Sequence, residues 1–376
     1  MVGVKRKNQW DKELEQLFQE LQVEEDTPVE VIAERVESEL STSLKIGFFG
    51  SPGCGKSALM NAMIGERKTD TKITPGTNVT THIWGEDDTM LFVDLPGYGG
   101  LIEEHTVDDY WVNYDIESFD VLLCCFETKL NRDDEAFFKE AKEHGIQIIF
   151  VRTKSDNLYD PNKSRRELKR EIRRHLIYDV FGRDSKLVFT SSKTKLGIGK
   201  LHDAVTERLD AKKQDIFYRN AKAYSESFLK RKSKAAHRVV FKYSFLAAGK
   251  GAEYEDVLDT AVDVDVVTEM IENVSDQFGL TEERLQKMMQ EDQEEVEDFD
   301  QIAALSSEDD ISEQMVLEYM AKFKGQQRVA NITKVVPVVG GMTAGFGLSY
   351  YTGREFIRSC EEIAELILEA EIQEKK

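Results

Sequence analysis

Eight consecutive residues, Gly50-Ser51-Pro52-Gly53-Cys54-Gly55-Lys56-Ser57, satisfy G-x-x-x-x-G-K-[ST] at every fixed position. The chemistry of such a set is phosphate binding. The glycines let backbone N–H groups converge on a β-phosphate, helped by the positive end of the helix that Ala58 enters. Lys56 has the reach for the β- and γ-phosphates, and the Ser57 hydroxyl suits Mg²⁺. The flanks agree. Leu44, Ile46, Phe48 and Phe49 read as a buried strand, and Ala58 to Ile64 as a helix. A strand–loop–helix context of this kind predicts a nucleoside triphosphate site rather than a glycine-rich turn beside a solvated lysine.

Which nucleotide is decided further along. Asp94-Leu95-Pro96-Gly97 follows an apolar run, where Asp94 can hold Mg²⁺ through water and the Gly97 N–H can meet a γ-phosphate. Thr153-Lys154-Ser155-Asp156 follows another. A carboxylate at Asp156 accepts two hydrogen bonds from the ring N–H and exocyclic amine of guanine, whereas adenine would leave it unpaired. The Lys154 stem can lie over the base. Ser191-Ser192-Lys193, past a third run, is placed for a backbone N–H to the guanine carbonyl. Thr77, Thr80 and Thr81 all precede a strand, and Thr80 is the expected hydroxyl ligand of Mg²⁺. The expected metal set is Ser57, Thr80 and Asp94, and the expected catalytic contacts are Lys56, Thr80 and Gly97. Residues 66–81 are polar, as suits a loop ordered by a γ-phosphate. Cofactors are therefore GTP or GDP with Mg²⁺.

These loops need a sheet to hold them. Short apolar runs at Lys45–Gly50, His82–Trp84, Met90–Asp94, Val121–Glu127, Gln147–Arg152 and Lys186–Thr190 alternate with amphipathic segments. That pattern predicts a six-stranded, mostly parallel α/β sheet covered on both faces, with one antiparallel hairpin. Residues 1–43 read as helices, 44–212 as the nucleotide-binding domain, and 213–376 as a second helical part that packs with the first. Phe356, Cys360, Ile363, Ile367 and Ala370 lay an apolar stripe on a last helix, read as core packing. Val335 to Gly353 carries no charge, but Pro337 and four glycines break it into two buried or interfacial half-helices.

A chain of 376 residues has room for two domains. Its net charge of −21 argues against a general nucleic-acid binder. The basic runs Arg165–Arg170 and Lys230–Lys234 read as solvated helix faces or contacts to the protein's own acidic surface. Four cysteines, two adjacent at Cys124 and Cys125, suit reduced thiols and a cytoplasmic setting. No secretory leader is visible, and Val2 excludes a myristoylation start.

Taken together, Gly50–Ser57, Thr80, Asp94–Gly97, Thr153–Asp156 and Ser191–Lys193 resemble the five nucleotide motifs of Ras-like GTPases. Phe119-Asp120-Val121, and above all Phe150-Val151-Arg152-Thr153-Lys154-Ser155-Asp156, resemble the immunity-related, interferon-inducible GTPases, which carry Thr where most relatives have Asn. The phosphate loop is closer to that of Era-like GTPases. The resemblance implies GTP hydrolysis, flanking helices joined in one domain, and homodimers formed through the nucleotide faces. Tyr98 stands where a glutamine often orients the attacking water, so slow intrinsic hydrolysis is expected; Glu103, Glu104 and His105 in that loop read as solvated. The expected function is a GTP-hydrolysing switch that self-assembles at a membrane through 335–353. The alternatives are a GTP-dependent binding module with little turnover and an Era-like ribosome-assembly GTPase.

Overall fold

The computed structural model describes residues 14–24, 27–40, 42–65, 70–73, 80–84, 89–96, 107–130, 132–182, 184–251, 262–281, 284–286, 288, 299–307, 311–326, 329 and 343–373. Two compact units emerge: residues 42–224, and residues 1–41 with 225–376.

In chain order, helix α1 (Val29–Leu40) precedes strand β1 (Leu44–Gly50) and helix α2 (Lys56–Ile64). Strands β2 (Asp70–Ile73), β3 (Thr80–Trp84) and β4 (Met90–Pro96) come next, followed by α3 (Val107–Asn113). Then β5 (Val121–Phe126), α4 (Arg132–Glu143), β6 (Ile148–Arg152), α5 (Arg165–Arg173), β7 (Lys186–Phe189), α6 (Ile198–Thr206) and α7 (Ala211–Asn220) complete the unit. The sheet order is β2-β3-β4-β1-β5-β6-β7, with β4-β1-β5-β6-β7 parallel and β2-β3-β4 antiparallel. All six expected strands are present. The seventh, β2, falls within the polar stretch expected to be loop. It is a short edge strand without an apolar run, and its pairing with β3 is what defines it.

Burial on both faces explains the near-continuous apolar strands. One face carries Phe49, Val93, Leu122, Cys124 and Phe150, which meet Tyr110 of α3, Phe137 and Phe138 of α4, and Phe181. Phe49 lies parallel to Phe137 with centroids 5.1 Å apart, and edge-on to Phe138 at 4.7 Å. The other face is covered by α2 and α7. With β1 central and the chain leaving it to β4 on one side and β5 on the other, the crevice lies at the carboxyl end of β1.

In the other unit α8 (Glu226–Gly251), α9 (Val264–Phe278) and α12 (Thr343–Gln373) pack against one another, with α10 (Phe299–Ser307) and α11 (Glu313–Ala321) alongside. The stripe reading holds where it matters: Phe356, Cys360 and Ile363 are fully buried. Lys230–Lys234 is not a simple solvated face, because Lys232 is buried and donates to the Gln277 carbonyl at 2.6 Å. Of the uncharged run 335–353, residues 343–353 are the first turns of α12, and Phe346, Leu348, Tyr350 and Tyr351 are buried. Residues 335–342 lie outside the described residues. Among the described residues, no helix is long and apolar enough to cross a membrane.

Candidate functional site

The phosphate loop is shaped by what surrounds it. At the end of β1, a side chain on Gly50 would overlap the Cys125 carbonyl oxygen and the Cys54 sulfur. At the start of α2, Gly55 is left-handed (φ 99°), caps the helix without a side-chain acceptor, and leads into a first turn free of acids. A helix start leaves its first N–H groups without intrahelical partners. Here no carboxylate or hydroxyl of the cap claims them, which suits a first turn that receives an anion. Ser51, Pro52, Gly53, Ser57 and Ala58 are exposed along this rim, while Cys54 is buried.

Lys56 runs inward instead. Its buried ammonium donates to the Gly50 carbonyl at 2.6 Å and sits 3.4 Å from Asp94 Oδ1. One carbonyl and one carboxylate thus hold the ammonium between β1 and β4. Asp94 in turn is in register with Phe48 of β1 and with Thr80 of β3. Directly opposed residues of an antiparallel pair present side chains on the same face, about 5 Å apart at Cβ. A hydroxyl, a carboxylate and the exposed Ser57 are the hard oxygen donors that Mg²⁺ takes, so the residues present fit that ion. Gly97, Tyr98, Thr77, Glu103, Glu104 and His105 lie outside the described residues. The strand entering Gly97 is anchored, since the buried Tyr110 hydroxyl donates to the Pro96 carbonyl at 2.6 Å.

The base side is stapled to the phosphate side. Thr153, buried past the end of β6, has its hydroxyl 2.5 Å from the Cys54 carbonyl and 3.1 Å from that of Phe126. Lys154, itself left-handed (φ 46°), donates to the Gly53 carbonyl at 2.8 Å and pairs with Glu127 at 2.7 Å. Ser155 ties the loop to β7, its N–H meeting the Thr190 carbonyl at 2.9 Å. The Ser191 hydroxyl beside Asp156 holds that carboxyl below the usual carboxylate range, with Lys193 and Arg165 adding to the effect. Ser191 is buried, Ser192 half-buried and Lys193 exposed. These contacts bring together Gly50, Gly53, Cys54, Lys56, Asp94, Thr153, Lys154, Asp156 and Ser191, with Thr80 in register beside Asp94.

Two contacts have no counterpart in the sequence reading. Glu127 follows directly on β5, at the rim where the other loops start; that position past a strand end was the available signal. Arg165 donates to the Asp156 carbonyl at 2.9 Å, and nothing in the sequence distinguishes it from the basic run around it. All four cysteines are free and buried, and burial raises the thiol pKa of each, Cys54 included.

Residues 45–154 match the protein family described as 50S ribosome-binding GTPase. Among curated sequences the chain is similar to the probable GTP-binding protein EngB of Acholeplasma laidlawii, 32% identical over 162 residues, which span 40% of this chain and 81% of that protein. The probable EngB of Petrotoga mobilis is 29% identical over 173 residues, spanning 44% of this chain and 86% of its own. Among solved structures, the G domain of the T. maritima FeoB iron transporter aligns with 22% identity and a TM-score of 0.32, over 44% of this chain and 98% of that domain.

Proposed function

Since this chain belongs to the family of P-loop GTPases that includes the EngB-type GTP-binding proteins, we propose that it is a switch whose two nucleotide states are read by a partner. It is a GTPase, and its cofactors are GTP or GDP with Mg²⁺. The observation that carries the switch reading is the stapling of the site. Lys56 to Asp94, Thr153 to Cys54, Lys154 to Gly53 and Asp156 to Ser191 join segments from the ends of four parallel strands and the start of α2.

In this reading Gly50–Ala58 cradle the phosphates, and Lys56 leaves its internal partners enough to meet the β- and γ-oxygens. Ser57, Thr80 and Asp94 hold the metal, which when bound neutralises charge on the β- and γ-phosphates. Asp156 selects guanine, the Lys154 stem covers the base, and Ser191–Lys193 close its far edge. Gly97 contributes an N–H at the γ-phosphate. Tyr98 leaves water positioning to backbone, to a switch residue or to a second molecule, which suits slow turnover and self-activation through paired nucleotide faces.

The finer likeness to immunity-related GTPases rests on Phe150–Asp156 and the flanking helices, while the relatives compared are EngB-type. The membrane part of the reading requires the buried start of α12 to leave its core. The family description supports a second reading, that the switch docks on a ribosomal particle.

Single-turnover GTP hydrolysis by the full chain tests the proposal. Lys56→Ala should lower the rate by about 100-fold or more, in the range for losing one preorganised donor. A variant that hydrolyses GTP at the parent rate refutes it. A rate per molecule that stays flat with protein concentration removes self-activation, and absence of GTP-loaded protein from sedimented vesicles removes the membrane.

A further inference from the structure

The chain is acidic as a whole, yet residues 152–200 carry fourteen Lys and Arg against six Asp and Glu. The fold gathers much of this excess on one helix. Along α5 the i,i+4 spacing sets two neighbouring rows, Arg165-Lys169-Arg173 and Arg166-Arg170, the second extended by Arg174 where a π-helical turn continues the helix. Successive members are about 6 Å apart along the axis. No residue of α5 is buried.

The helix's own two acids are engaged mainly outside these rows, although Arg170 adds to Ser164 in holding the Glu167 carboxyl below the usual range. Glu167 closes a capping box with Ser164, and Glu171 pairs with Lys163 at 2.7 Å. The cations crowd each other instead. Lys169 and Arg173 both lie over the Phe189 ring, at 5.4 and 5.9 Å. Partial burial pushes the Lys169 pKa down, and Arg165, Lys200 and Arg173 push it further. Like charges held this close work against the fold, and an anion on the surface would relieve them.

Six residues before Arg165, in the segment that leads from Asp156 into α5, Tyr159 is 81% exposed. Among the described residues it is one of three large hydrophobic side chains left exposed, and Leu196, past Ser191–Lys193, is another. Five of the six row residues are arginines, whose planar forks match phosphate oxygens. Regularly spaced phosphate-binding groups next to an exposed ring are the combination that holds an unpaired strand, with the ring stacking a base.

We propose that the exposed face of α5, with Tyr159, is a docking surface for single-stranded RNA. An acidic protein segment would match the charge but give Tyr159 no base to stack on. The net charge of −21 does not prevent this, because at physiological salt a charge more than about 8 Å away is largely screened. The proposal carries the ribosome-docking reading to a particular surface, and it is tested with free RNA so that surface and ribosome are judged separately.

The test is fluorescence anisotropy of a labelled, mixed-sequence RNA strand of about 20 nucleotides with the full chain, from about 50 to 200 mM KCl. The variant is Arg166→Gln/Arg170→Gln/Arg174→Gln, which touches no nucleotide contact. Its affinity should fall at least about tenfold at low salt, and its log–log salt slope should shrink by about 2, near 0.7 per lost phosphate contact. Tyr159→Ala should weaken binding roughly fivefold or more with the slope unchanged. A fluorescent GDP analogue should bind parent and variants alike; failure of that arm in the parent speaks against the nucleotide site and not against this surface. No RNA binding by the parent at low salt, parent-like binding by the triple variant, or equal competition by polyglutamate would each overturn the proposal.

Discussion

Thr153→Val deletes one hydroxyl and keeps the side-chain volume, so its effect is almost purely polar. The hydroxyl is buried, 2.5 Å from the Cys54 carbonyl and 3.1 Å from the Phe126 carbonyl. The Phe126 carbonyl keeps a donor after the change, because the Thr153 backbone N–H reaches it at 3.0 Å. The Cys54 carbonyl loses the buried partner described above. Leaving one buried acceptor unpaired costs about 1–3 kcal/mol, while the net value of the bond itself is about 1 kcal/mol. The nucleotide-binding unit should therefore lose about 1–3 kcal/mol of unfolding free energy, read from urea transitions at constant m-value. Nucleotide must then order a phosphate loop no longer tied to the base loop. That should weaken GDP about three- to tenfold, since about 1.4 kcal/mol is a factor of ten. Thr153→Ser keeps the hydroxyl and should restore most of both losses. Parent-like stability and affinity in Thr153→Val would show that the two loops are positioned independently.

Two further outcomes are expected. Asp156→Asn should weaken GTP by about 2–4 kcal/mol and shift preference toward xanthosine nucleotides, in competition titrations; unchanged affinity would remove Asp156 from the base site. In the helical unit, burial and then Arg354 lower the His237 pKa from its usual 6.5 to about 3. The folded state thus binds fewer protons than the unfolded one between those values, so stability is full above about pH 6.5 and falls by about 1.4 kcal/mol per pH unit below it. His237→Asn should flatten that acid limb in denaturant melts taken between about pH 7 and pH 5; an equally steep limb would place the acid sensitivity elsewhere.

The strands and the site were legible for the same reason. A buried parallel strand must be apolar along its length, and a functional loop must start where it ends. Reading Lys45–Gly50, Met90–Asp94, Gln147–Arg152 and Lys186–Thr190 as strands therefore located Gly50, Asp94, Thr153 and Ser191 on one rim. What stayed hidden has no local signature. Strand β2 is made by pairing with β3 alone. Lys232 sits in a basic run that looks solvated, and its burial depends on the Gln277 carbonyl 45 residues away. The internal engagement of Lys56 with Asp94 joins residues 38 apart, and only the register of β1 with β4 brings them together.

Net charge misleads for a related physical reason. It sums over a chain, whereas a partner within a screening length of about 8 Å feels only the nearest side chains. Here the excess of cations falls in 152–200, the stretch that also builds the base side of the site through Lys154, Asp156 and Ser191. Arg165 belongs to both regions, donating to the Asp156 carbonyl while it opens the first cation row of α5. A polyanion drawing on that row would pull on the residue that braces the Asp156 loop, which we propose selects guanine. By linkage, any coupling between RNA and nucleotide must then act equally in both directions. If Arg165 is the link, Arg165→Gln should abolish the coupling, whereas Arg170→Gln should weaken RNA and leave the ratio of GTP to GDP affinity untouched.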